Sequence, residues 1–191
     1  MSFTDEFQTV DLLRAEVCNA VNRGVDAFAL AVIKAERQAR KLFTFLVYQY
    51  PAFTSAHILP LRDALALRRD IYFKGFLRGI DTISPVTPVS RLVGADFAAL
   101  SKSLHEATQI RNKIFHGQIT TRQLGREDLF RYVDQIRTWC ERLAASSKAE
   151  FGYDGFARDS FQKAASSIDS RLRQPPLTTV AEYSSLLDLL R

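Results

Sequence analysis

Arg111, Asn112 and His116 stand together in "RNKIFHG", residues 111–117. A guanidinium that never loses its proton is thereby set near an imidazole that titrates close to neutrality. Asn112 and His116 are four residues apart and share a helical face. The amide can therefore hydrogen-bond a ring nitrogen and fix its tautomer. A permanent cation beside a proton-transfer group is chemistry suited to a phosphodiester.

The element that must position these groups is a helix over about 95–116, with Gly117 as a usual stop. At ~100° per residue, Phe97, Leu100, Leu104, Ala107, Ile110, Ile114 and Phe115 fall on one broad apolar arc, with Arg111 at its centre. Ser101, His105, Thr108, Asn112 and His116 occupy the next sector, and Lys102, Glu106 and Lys113 the opposite, solvated side. A charge in an apolar seam must be paired, or must face a cleft or an interface. No acid stands three or four residues to either side of Arg111. Two readings follow: a structural arginine paired with an acid from another helix, or a functional one at a cleft. His116 lies roughly 140° around the helix from Arg111 and reaches the same groove only where the helix end turns.

The surrounding chain reads as all-α: a compact bundle of four to five main helices plus a C-terminal helix. One helix is expected over about 4–22, ending near Gly24, and a second over 25–49 with Phe28, Val32, Ala35, Ala39, Leu42 and Leu46 along one side. A third is expected over 61–78, before "SPVTPVS" at 84–90 breaks the chain. A fifth runs over 126–149, and "FGYDGF" at 151–156 is a glycine-punctuated turn with a short helix after it. "RQPP" at 173–176 reads as a linker. Beyond it, Thr179 and Glu182 have capping-box spacing ahead of Val180, Tyr183, Leu186, Leu187 and Leu190. The expected organisation is thus one domain over 1–172, with a linker and amphipathic helix over 173–191.

Composition sets broader bounds. Charged residues make up 25% of the 191 and apolar ones 47%, as in ordinary globular proteins. The excess of 26 basic over 21 acidic residues, a net +5, mildly favours a polyanionic partner. Cys18 and Cys140 lie far apart without companion ligands, which predicts free thiols in a reducing cytoplasm. No secretory leader or membrane span is expected. The chain has no zinc spacing, phosphate-binding loop or dinucleotide glycine pattern, so no metal or cofactor is expected.

The motif resembles that of the HEPN superfamily, R-x4-6-H with a polar residue directly after the arginine, which Arg111, Asn112 and His116 match. The resemblance extends over about residues 1–150 and includes the helical bundle with its motif late in the chain. It implies a metal-independent endoribonuclease that acts as a homodimer with a composite cleft, as a toxin of a toxin–antitoxin pair or an antiviral defence effector. In family toxins paired with a minimal nucleotidyltransferase, a tyrosine that becomes modified follows the histidine by two residues. Gln118 stands there instead, which argues against an antitoxin of that kind.

On that reading the ribose 2′-hydroxyl attacks the adjacent phosphate, giving a 2′,3′-cyclic phosphate and a 5′-hydroxyl. His116 serves as general base or acid, Arg111 clamps the non-bridging oxygens, and Asn112 orients His116 or binds phosphate. Lys113 and His105 are weaker candidates for contact with RNA; Lys113 and Glu106 otherwise read as solvated and His105 as a surface histidine. The stretch 62–78, "RDALALRRDIYFKGFLR", interleaves basic residues with Tyr72, Phe73 and Phe76. It reads either as an amphipathic helix with core aromatics or as a strip for phosphates and stacked bases. His57 stands in a loop-like setting, and Tyr153 with Asp154 reads either as part of a site or as a glycine turn that closes the bundle, which suffices. The main alternative function is a non-catalytic HEPN-like module that binds RNA or serves as a dimeric scaffold. A plain helical interaction protein, its Arg111 paired within the fold, is a third.

Overall fold

The computed structural model describes residues 2–15, 23–117, 124–157 and 159–191; Cys18, Gln118 and most of the turn before residue 125 lie outside these. The described residues are 71% helical and include no strand, so the fold is all-α. Its helices are α1 (Phe3–Ala15), α2 (Arg23–Tyr48), α3 (Ile58–Ala66), α4 (Phe73–Ile83), α5 (Val89–Val93), α6 (Phe97–Phe115), α7 (Arg126–Phe151) and α8 (Val180–Leu189).

The long apolar stripe of α2 makes it the central helix. Phe28, Val32, Ala35, Ala39, Leu42 and Leu46 are all buried, and α2 packs on α7, α4 and α1. Facing it, α7 contributes Val133, Ile136, Trp139, Cys140 and Leu143 to the same core. The buried Gln38 amide donates to the carbonyls of Cys140 (3.0 Å) and Asp154 (3.2 Å), which ties α2 to α7 and to the turn beyond it. On the other flank of α2, Lys34 and Arg37 both pair with the buried Glu6 of α1. A buried carboxylate between two cations is the arrangement that offsets its desolvation.

Several expected boundaries moved. The helix expected over 61–78 is two helices, α3 and α4, separated at residues 67–72. No glycine or proline marks that break. The chain turns there because Ile71 is drawn into the core, while Arg68 caps α3 through the Ala64 carbonyl and pairs with Asp188 of α8. Within the expected break, Pro88 opens the short α5, whose first amide at Val89 donates to the Asp81 carboxylate (2.7 Å). Gly24 lies in the first turn of α2 rather than at the end of α1, which is described to Ala15. The helix expected after "FGYDGF" is only a single 3-10 turn, Asp169–Arg171. The "FGYDGF" segment is a structural turn: Asp154 accepts from the amides of Phe156 and Ala157, and the buried Tyr153 hydroxyl donates to the Ala157 carbonyl.

The C-terminal helix closes the bundle. Thr179 and Glu182 form the expected reciprocal cap, with the Glu182 amide donating to Thr179 Oγ1 (3.1 Å). Tyr183, Leu186, Leu187 and Leu190 are buried in the same core as α2 and α7, and α8 packs on α3. No helix among the described residues is long and apolar enough to cross a membrane.

Candidate functional site

α4 is amphipathic with an unusually clean division. Phe73, Phe76, Gly79, Ile80 and Ile83 face the core, which leaves Lys74 and Arg78, four residues apart, on the outer side. Across from them, α6 buries Leu100, Leu104 and Ala107 and turns its adjoining polar sector outward. Between the two lies a cleft of about 410 Å³, and the last residues of the chain, Leu190 and Arg191, line it as well. Ser101, His105, Thr108 and Asn112 all line this space, so the polar sector of the helical wheel is a cleft wall. That volume falls within the roughly 300–1,000 Å³ of small-ligand sites.

Arg111 also lines the cleft, and its Nη2 pairs with Glu36, a residue of α2. Its side chain is 17% exposed and that of Glu36 28%. The acid missing from α6 thus comes from another helix, 75 positions earlier. The pairing is incomplete: Arg111 Nε is enclosed with no hydrogen-bond partner among the described residues. Such an orphaned donor costs roughly 1–3 kcal/mol. Burial pushes the Glu36 carboxyl above its ordinary value, outweighing the opposite pull of the Arg111 charge. The cleft floor is therefore a guanidinium held by a carboxylate that is itself poorly solvated.

The other charges are unequally compensated. Arg191 pairs with Asp70 at 2.8 Å, and Arg78 donates to the Arg191 carbonyl at 3.2 Å. Lys74 meets no carboxylate among the described residues; it approaches His105 Nε2 at 3.5 Å. That ring nitrogen also faces the Gln109 amide at 3.1 Å. With donors on both sides, Nε2 of a neutral ring is the acceptor and the proton sits on Nδ1. Four cationic side chains (Lys74, Arg78, Arg111, Arg191) line the cleft against two side-chain carboxylates, Glu36 and Asp70.

The expected site residues separate here. Arg111, Asn112 and His105 share the cleft, while Lys113 and His116 are exposed outside its lining. His116 caps α6, its amide donating to the Asn112 carbonyl, just before Gly117 turns the chain with φ +65°. The side chains of Asn112 and His116 make no hydrogen bond to one another among the described residues. Phe115, expected on the apolar arc, is 57% exposed beneath the Arg111 guanidinium, 5.8 Å from ring centre to Cζ. Glu106 is not simply solvated as expected: it accepts from the Tyr132 hydroxyl at 2.8 Å. His57 serves its turn, accepting from the Thr54 amide.

Sequence reasoning missed Glu36. The available signal was an acid directly after Ala35, at the margin of the apolar stripe of α2. Among the described residues, no group of three His, Cys, Asp or Glu side chains is placed to hold a metal ion. No family model, curated protein or solved structure matches the chain.

Proposed function

We propose that the protein is a metal-independent endoribonuclease of HEPN type, a toxin or a defence effector. The observation that carries this reading is the convergence of the motif's Arg111 and Asn112 with Lys74, Arg78 and His105 around one cationic cleft. A phosphate entering the cleft gives Arg111 a second partner beside Glu36, and the strong Glu36 contact keeps the guanidinium oriented before substrate arrives. Asn112 and His105 supply polar contacts along the same wall. The 2′-hydroxyl gives its proton to one His116 imidazole as it attacks the phosphorus. The bond to the 5′-oxygen breaks as that oxygen takes a proton from the other protomer's His116 or from water, and the charge that develops on the phosphoryl oxygens is held by Arg111.

His116 works from the exposed end of α6, beyond the lining of a single chain's cleft. A second copy, docking α6 end to α6 end, brings its own His116 to the attacking or leaving oxygen. Exposed Phe115 and half-buried Ile110 and Ile114 give that end the apolar character of a contact surface.

The test is single-stranded RNA incubated with the protein in EDTA. Cleavage should persist, yield 2′,3′-cyclic phosphate ends, and fall by at least about 100-fold in His116→Ala and in Arg111→Ala. Cleavage that stops with EDTA, or that survives His116→Ala, refutes the mechanism. The Arg111–Glu36 pair favours one other reading, a helical module in which the arginine is structural. RNA binding without turnover between about pH 5 and 9 selects a binding module, and indifference to RNA selects an interaction protein.

A further inference from the structure

The α4 wall of the cleft carries a feature that the motif does not use. Tyr72 stands directly before α4 with an extended backbone (φ −94°, ψ 179°), and it is 70% exposed although Phe73 and Phe76 beside it are buried. Its ring lies against no other ring, and its hydroxyl makes no hydrogen bond, among the described residues. Lys74 and Arg78 follow on the same wall; among the described residues Lys74 meets no carboxylate, and Arg78 donates to the main-chain oxygen of Arg191. A large, bare aromatic face costs exposed apolar surface, and two neighbouring cations four residues apart repel one another; a single ligand with a flat π-face and an attached anion relieves both.

The geometry points to a base-stacking subsite on α4, in which Tyr72 stacks one unpaired base of a single-stranded RNA while Lys74 and Arg78 hold its adjoining phosphates. The choice of RNA rests on the proposed ribonuclease function; the choice of a single strand rests on the cleft. A base reaches Tyr72 only when it is splayed out of a helix, and a duplex presents phosphates without a free base face. The remaining cleft wall, from His105 to Asn112, then receives the sugar–phosphate that follows, so that Tyr72 sets which linkage lies over Arg111.

The experiment measures binding of a fluorescein-labelled single-stranded RNA by anisotropy in the His116→Ala background, where turnover does not interfere. Tyr72→Ala should weaken binding about tenfold or more, and Tyr72→Trp should restore it. The Tyr72→Ala effect should vanish when a single, position-specific nucleotide of the RNA is made abasic. Lys74→Ala and Arg78→Ala should each reduce the salt dependence of binding by roughly one phosphate contact. Unchanged affinity in Tyr72→Ala, or equal dependence on Tyr72 for duplex RNA, overturns the subsite. Equal binding of DNA of the same sequence overturns the assignment to RNA. Displacement by polyglutamate as readily as by unlabelled RNA marks a general polyanion surface and also overturns it. Because Tyr72 is exposed, circular dichroism should be unaltered by its replacement. Loss of cleavage activity bears on His116 and leaves these binding outcomes standing, so the two proposals fail separately.

Discussion

At the scale of single residues, the Arg111–Glu36 pair decides most. Removing either partner alone leaves the other poorly solvated and unpaired, at a cost of about 1–3 kcal/mol. Arg111→Leu with Glu36→Leu should therefore sit closer to the wild type in urea midpoint than either single change. Glu36 also gives the pair a pH signature. A carboxyl raised by burial binds its proton more tightly in the folded chain than in the unfolded one. Its contribution is present below the ordinary value of 4.5 and is lost as pH rises through the higher folded value. Relative to Glu36→Gln, the wild type should lose thermal stability across that interval and run parallel to it on either side. The seam position of Arg111 was legible because helical periodicity reports which face a residue shares. Its partner was not, because a contact between residues 36 and 111 depends on how two helices cross. For the same reason Tyr72 and Phe73 read alike in sequence, though one is bare and the other is core.

At the scale of elements, α4 shows how packing overrides a continuous helical pattern. "LRRDIYFKG" contains nothing that forbids a helix, yet the chain turns at residues 67–72 to seat Ile71 and to bring Gly75 and Gly79 against their neighbours. A methyl group at Gly79 would lie 2.7 Å from the Phe43 ring and 2.8 Å from Leu190 Cδ1. At Gly75 it would meet the Leu190 carbonyl. Alanine's better helix propensity gains about 1 kcal/mol, whereas overpacking against a ring costs about 1–3. Gly79→Ala should lower the melting temperature by a few degrees, measurable by circular dichroism. The helices with strong stripes and clear stops, α2, α6 and α7, were legible nearly to their ends. The α3–α4 break and α5 were not, since neither is encoded by a local breaker alone.

At the scale of the whole molecule, α8 belongs to the core that α2 and α7 build. Tyr183 stacks on Phe43 at 6.2 Å, and Leu187 is fully buried. Leu187→Ala should cost about 2–5 kcal/mol. Its unfolding should register equally in helix content and in the fluorescence of the single, buried tryptophan, Trp139. Two separated transitions would instead mark α8 as an independently melting appendage. The sequence made the cap and apolar stripe of this helix readable, but not the surface it seats on, which depends on how α2, α3 and α7 pack.

The closeness of Gly75 and Gly79 to Leu190 has a practical corollary. Because the backbone of α4 admits no side chain there, the final residues are drawn up against the entrance used by Lys74 and Arg78. On the proposed reading, any affinity tag or reporter fused after Arg191 would emerge at that doorway and compete there with the phosphates of RNA.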